Sequence, residues 1–297
     1  MNYIKVRAHG KINLALDVLR KREDGYHDVR MIMQSVGLYD NIEIANLGQS
    51  KTGKPEIDIE CNLRYLPNNE NNLAYKAALL LMEEFYISAH IVIKIKKMIP
   101  VAAGMAGGSA DAAAVLKGVN KLFGLHLTNV ELKKRGVTLG ADIPYCIDGG
   151  TALSEGIGEI LTPLPPMPQC IILLVKPPIN VSTKLVYGNL DAANNTYHPD
   201  IDGMIEAIEA GDLIAMTKKM GNVLATVTEA EYPIITEIKE KMIEMGALGS
   251  MMSGSGPTVF GIFDNREAAK AAYTFFKGSD LGRQVYLTDG GNGDERY

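Results

Sequence analysis

The sequence predicts an α+β protein built in two parts, and three observations carry that prediction. Apolar residues alternate with polar ones at residues 42–45, 56–60 and 90–97, the period of a half-buried strand. Helix-length segments with their own start signals follow such runs, at about residues 73–86 and 109–123. Finally, Pro163-Leu-Pro-Pro-Met-Pro168 places four prolines in six residues, which stiffens the chain, excludes helix and central strand, and marks a boundary between the halves.

Taken in order, residues 3–19 read as extended, interrupted at Gly10-Lys11. Lys21-Arg-Glu-Asp-Gly-Tyr-His27 is a polar loop that turns at Asp24-Gly25, and residues 29–47 read as paired strands. Residues 49–55 form a turn-rich loop before the strand at 56–60. Asn71 or Asn72 caps the helix that follows. Thr128-Asn-Val-Glu131 is a capping box opening a short helix that ends near Gly140. In Gly140-Ala-Asp-Ile-Pro-Tyr145, Pro144 biases Ile143 away from helix and leaves Asp142 at a constrained bend, as a cap or as a reactive carboxylate. Gly149-Gly150 and Gly156-Ile-Gly158 frame a hairpin-like segment. Beyond the prolines come a buried strand at 170–175, helices at about 201–210, 213–225 and 234–245, strands at 247–251 and 258–263, a helix at 266–276 and a strand at 284–288. Strands alternating with helices make this half layered. Residues 289–295 share composition with a calcium loop but lack its spacing, so a frayed terminus is expected.

Composition narrows the classes. The 297 residues are 46% hydrophobic and 22% charged with a net charge of −5, ordinary for a globular chain with room for a core. No basic run suits nucleic acid, no apolar run spans a bilayer, and residues 1–7 read as a charged strand. Cys61, Cys146 and Cys170 form no C-x-x-C pair and are expected as buried free thiols in a cytoplasmic protein.

The segment around which the rest is arranged is Pro100-Val-Ala-Ala-Gly-Met-Ala-Gly-Gly-Ser-Ala-Asp-Ala-Ala-Ala114, between a strand and an Ala-rich helix with Ser109 as its expected N-cap and Asp111 at the positive end of its dipole. A small-residue loop aimed by a helix N-terminus offers bare N–H groups to phosphate; the same spacing fits a tight turn with the helix packed close below it. Gly104, Gly107 and Gly108 miss the dinucleotide spacing, Gly108-Ser109 lacks the Walker lysine, and Ser109 lacks the following glycine of a nucleophile elbow. Ser253-Gly-Ser-Gly-Pro257 is a second such turn, so a phosphate-lined cleft between the halves is expected. Lys11 alone reads as a solvated strand lysine, while Tyr26 and His27 offer a ring face and an imidazole edge to a heterocycle.

Gly10-Lys-Ile-Asn-Leu14, the loop at 100–110, Gly140-Ala-Asp-Ile-Pro144 and Met252-Ser-Gly-Ser-Gly-Pro257, in that order, resemble the GHMP superfamily of galactokinase, homoserine, mevalonate and phosphomevalonate kinases. The resemblance implies a ribosomal protein S5 domain 2-like domain over 1–162 and a ferredoxin-like domain over 163–297. Asp24-Gly-Tyr-His27 looks like the branch whose acceptor is a cytidine diphosphate conjugate of methylerythritol, phosphorylated on its 2-hydroxyl by ATP with Mg2+. Carried over residue by residue, Lys11 and Asp142 match the catalytic pair. Pro100, Val101, Ala102, Ala103, Gly104, Met105, Ala106, Gly107, Gly108, Ser109 and Ala110 match the ATP loop, with Asn72 and Lys97 also at the nucleotide. Asn13, Tyr26, His27, Thr183 and Tyr187 match acceptor positions, cytosine stacking between Tyr26 and Tyr187 while His27 reads its edge. The metal ligand stays open between Ser109 and a glutamate near the helix. His9-Gly10 replaces the commoner Pro-Ala, and Ala102, Ala103 and Ala106 stand where relatives often carry glycine, which stiffens the loop. A small-molecule acceptor implies no nucleic-acid or membrane partner and a monomer or weak homodimer. Kinases for other small alcohols, a decarboxylating lyase of the same fold and a non-catalytic nucleotide binder are the alternatives.

Overall fold

A computed structural model of the chain describes residues 2–190 and 197–290. Strands β1 (Tyr3–Lys21) and β2 (His27–Gln49) form a long antiparallel hairpin. Its turn takes Gly25 at φ 87° and bonds the Tyr26 N–H to the Asp24 carboxylate at 3.0 Å. The interruption expected at Gly10-Lys11 is a register shift within one strand, and the pairs expected over 29–47 are one strand with several partners. Residues 41–49 of β2 pair with β4 (Ala89–Lys96), while residues 29–34 pair with β5 (Thr151–Gly156). Around them lie β3 (Glu56–Cys61), parallel to β4, and β6 (Ile160–Pro163), paired to β5. Helix α1 (Leu73–Glu84) is capped by Asn72, and α2 (Gly107–Phe123) crosses the sheet. Helix α3 (Asn129–Gly136) closes the Thr128–Glu131 capping box, and α4 (Ile143–Asp148) follows Asp142.

The second half contributes β7 (Ile171–Lys176), α5 (Thr183–Asn189), α6 (Ile201–Glu209), α7 (Leu213–Lys218), β8 (Gly221–Asn222), α8 (Ala225–Glu231), α9 (Ile234–Glu244), β9 (Gly249–Met252), β10 (Val259–Phe263), α10 (Arg266–Gly278) and β11 (Gln284–Asp289). Four of these strands form an antiparallel sheet in the order β11-β7-β10-β9. The helix expected over 213–225 is corrected: it stops at Lys218, and β8 joins the edge of β1 in parallel. The reason is tertiary, because a Cβ at Gly221 would collide with Tyr197, and the Asn222 amide donates to the carbonyls of Met252 and Gly254. Of the segment at 289–295, Asp289 ends β11 and Gly290 bridges Val36; residues 291–297 lie outside the described residues.

Burial along β1 shows how the layers meet. From Tyr3 to Ala8 it alternates between solvent and core, then stays buried from Gly10 to Val18. Ile12 and Leu14 belong to the core that includes Val115, Leu116 and Val119 of α2, whereas Leu16 and Val18 share a second core with Val223, Leu224 and Phe263. Gly118 lets α2 approach the sheet, since a Cβ there would meet the Ile44 side chain. The three cysteines are free but half-buried rather than fully buried.

Candidate active site

Where the inner ends of β1 and β4 meet the start of α2, the chain encloses a cleft of about 1000 Å³. Its loop side runs from Pro100 to Ser109. Ala102 (φ 49°), Gly104 (73°) and Ala106 (54°) all adopt left-handed backbone, two of them at the cost that a Cβ carries there. Helix α2 starts earlier than expected: Ala106 is its N-cap without a side-chain bond, and Ser109 lies inside the first turn. Gly107 and Gly108 open the helix, so its first free N–H groups have no side chains over them. Two loop members face away from the cleft: Met105 is 1% exposed and Ala110 2%, and neither lines it.

The second glycine-rich turn holds this loop. A Cβ on Gly104 would overlap the Ser253 carbonyl oxygen, and the Ser253 hydroxyl donates to the Gly104 carbonyl at 2.9 Å. The buried Asn222 amide bonds Met252 and Gly254 on the other side, tying that turn to β8 and through it to β1. Asn222 and Ser253 have no motif of their own as cleft supports; their partners are distant in sequence.

The site residues expected from sequence divide into three groups. Lys11 and Asp142 both line the cleft. The register shift after His9 directs Lys11 inward, where its ammonium donates to Asn13 Oδ1 at 2.7 Å. Asp142 occupies the N-cap position of α4 yet makes no cap bond, so its carboxylate stays available. At the far end, Tyr26, His27, Thr183 and Tyr187 line the same cleft. Here the rings in contact are His27 and Tyr187, 5.1 Å apart and tilted, while Tyr26 is 57% exposed, a different arrangement from the expected Tyr26–Tyr187 sandwich. Burial, and secondarily Lys21, holds the His27 imidazole below its ordinary pKa and favours the neutral ring. Thr183 Oγ1 bonds Ser255 Oγ at 2.8 Å and joins the two parts of the second half.

The third group is already engaged within the protein. Lys97 is buried and lies 2.5 Å from Asp40 and 2.8 Å from Asp111. Asp40 also accepts the backbone N–H groups of Met98 and Ile99, so this cluster fixes the approach to the loop. Asp111 is thus no solvated dipole partner: burial pushes its carboxyl well above the usual range, and its Oδ1 has no hydrogen-bond partner. Asn72 spends its side chain on Ala74 N–H and the Pro67 carbonyl. Asn13 is fully buried and does not line the cleft; it sits behind Lys11, with its amide against Met31 Sδ at 3.2 Å. Among the described residues no glutamate lines the cleft.

A cleft lined by a lysine, an aspartate and a loop of small residues suits a phosphoryl-transfer enzyme, and the kinase class is what the relatives share. The GHMP kinases N-terminal domain matches residues 72–150, and the GHMP kinases C-terminal domain matches residues 204–279. The chain is 54% identical over 288 residues to 4-diphosphocytidyl-2-C-methyl-D-erythritol kinase of Lachnoclostridium phytofermentans, covering 97% of each chain. It is 53% identical to the enzyme of the same name from Lachnospira eligens, covering 97% of this chain and 99% of that one. Among solved structures, a 4-(cytidine 5'-diphospho)-2C-methyl-D-erythritol kinase superposes with a TM-score of 0.82 at 28% identity, over 97% of this chain and all of that one. L. major mevalonate kinase in complex with R-mevalonate superposes at 0.74 and 16% identity over 97% and 96%, a likeness of fold alone. The chain belongs to the GHMP kinase family.

Proposed function

We propose that the chain transfers the γ-phosphoryl group of ATP to the 2-hydroxyl of 4-diphosphocytidyl-2-C-methyl-D-erythritol, a step toward isoprenoid precursors. Relatives of that name match nearly the whole chain, and the kinase class follows from the family. The observation that supports the chemistry is a single cleft lined by Lys11, Asp142, the glycine loop and the His27–Tyr187 pair. We assign residues 1–162 to the domain carrying loop and catalytic pair, and residues 163–297 to the domain completing the cleft.

The acceptor hydroxyl is tertiary and holds its proton tightly. Asp142 accepts or orients that proton, and Lys11 favours both the ionised aspartate and the oxygen that gains charge. Phosphoryl transfer has a loose transition state, so positioning and charge neutralisation supply most of the rate. Loop N–H groups and the first turn of α2 hold the phosphates of ATP. Magnesium would arrive as a companion of the nucleotide, since no cluster of three acidic, His or Cys side chains exists among the described residues; Ser109 and the unpartnered Oδ1 of Asp111, its carboxyl giving up the proton that burial favours, would hold it beside the loop. Bound there, it would neutralise charge on the β- and γ-phosphates.

No helix among the described residues is long and apolar enough to cross a membrane. The reading assigns a cytoplasmic protein with small-molecule partners only, acting as a monomer or weak homodimer.

The test is a phosphorus NMR assay with ATP, magnesium and the acceptor, in which a new phosphomonoester signal is expected. Asp142→Ala keeps ATP binding and lowers turnover about 100-fold or more, the size of a general-base contribution. Phosphorylation of homoserine or mevalonate in preference to this acceptor would refute the substrate, and normal turnover by the variant would refute the role of Asp142.

A further inference from the structure

The charges that line the cleft are unequally compensated. Lys97 is held by Asp40 and Asp111, and Lys11 works with Asp142 at the reacting centre. At the end of β1 stand three consecutive basic residues. Arg20 bonds Asp28 at 2.6 Å, and Arg22 lies 3.3 Å from Asp24 and 3.5 Å from Asp28. Lys21, between them, lines the cleft and forms no ion pair among the described residues. The same holds for Lys184, exposed in the first turn of α5.

These two lysines flank one feature. Lys21 is the direct cross-strand partner of His27 in the β1–β2 ladder, which puts both side chains on one face. Lys184 precedes Tyr187 by three residues on α5, which puts that pair on one helix face. His27 and Tyr187 meet across the cleft at 5.1 Å. The order is therefore cation, ring, ring, cation, with one cation from each half of the chain.

The geometry points to Lys21 and Lys184 as a two-sided clamp on the diphosphate of a cytidine diphosphate-bearing acceptor. The inference rests on the acceptor proposed above and adds the residues that recognise its charged linker. A base lodged against the two rings, with its alcohol at Lys11 and Asp142, has its diphosphate between these points. That group brings negative charge into a cleft already shared by Asp142 and the triphosphate of ATP. Without compensation the repulsion weakens binding of both substrates together. Lysine suits the task as a mobile point charge that follows a flexible phosphate chain. Arg20 and Arg22, already held by carboxylates, are not free to do so.

The experiment compares binding of cytidine and of cytidine 5'-diphosphate, by titration calorimetry, to the full chain and to Lys21→Ala, Lys184→Ala and the double variant. Both lysines are exposed, so the variants are expected to fold, which circular dichroism checks. The unaltered chain should bind the diphosphate about tenfold or more tighter than the nucleoside, the scale of charge-assisted hydrogen bonds. Each substitution should shrink that preference and the pair should abolish it, with cytidine affinity and the ATP KM within about twofold of the unaltered chain. A preference for the diphosphate that survives in the double variant overturns the clamp while leaving the acceptor assignment standing. A rise in the ATP KM as large as that of the acceptor also overturns it, since the lysines would then serve the donor. Failure of the unaltered chain to bind either cytidine compound overturns the acceptor reading itself, and the clamp with it.

Discussion

Lys11 and Lys97 line the same cleft and are almost equally buried, 5% and 7% exposed, yet their surroundings are opposite. Lys97 is held between two carboxyl groups from different elements, Asp40 of β2 and Asp111 of α2. Lys11 donates instead to a neutral amide, that of Asn13. A charge already balanced by the protein has little left for a ligand, whereas one held by an amide keeps its field for whatever enters. The contrast fits the proposed mechanism, in which Lys11 serves the reacting groups while Lys97 ties the sheet to the start of α2.

Substituting each lysine by methionine, similar in length but uncharged, tests this most severely. Lys11→Met should lower kcat about 100-fold or more while stability falls by only about 1 kcal/mol, the worth of one lost hydrogen bond. Lys97→Met leaves the buried Asp40 carboxylate without its cation and should cost about 3–5 kcal/mol of stability. Steady-state kinetics and denaturant melts on the two variants give the answer, and an exchange of the two phenotypes would invert the assignment.

A next and smaller effect separates the acceptor end from the donor end. Tyr187→Ala should raise the acceptor KM about tenfold, as expected for loss of a stacking ring, and leave the ATP KM unchanged. Equal rises in both constants would mean that the ring supports the fold of the cleft rather than the base.

The Lys97 cluster also has a pH signature. Burial holds the Asp111 carboxyl above its ordinary range, so the folded protein keeps a proton that the unfolded chain releases near pH 4. That contribution is complete below the unfolded value and is lost as pH rises through the folded one, about 8. Asp111→Asn, which cannot ionise, should therefore flatten the decline of Tm between pH 4 and pH 8 (about the span set by the two values). An unchanged pH profile would show that the wild-type carboxyl is ionised throughout. Smallest of all, Ala106→Gly relieves the left-handed strain at φ 54° and should stabilise the chain by up to about 1 kcal/mol, read from the same melts. Destabilisation instead would mean that a stiff loop is worth more than an unstrained one.

Much of this is legible along the chain because its causes are local. Asn72 and the Thr128–Glu131 box start helices through bonds spanning two or three residues, and Asp24-Gly25 turns the hairpin through one. The glycine loop and its helix are likewise readable, although the start of α2 is displaced because Ala106 turns the chain before Ser109 can act as a cap. The ion cluster is not legible, since Lys97 and Asp40 lie 57 residues apart and meet through the pairing of β2 with β4. Nor is β8, where apolar periodicity suggests more helix but the buried amide of Asn222 finds its carbonyls on a turn 30 and 32 residues further on.

The sequence by itself determined the parts: strands by alternation, helices by caps, the anion loop by small residues between strand and helix, and the family by the order of four motifs. Tertiary structure alone decided which charges are spent and which remain available. Spacing along a chain fixes local hydrogen bonds, but the field at a side chain depends on what distant segments bring within a few ångströms.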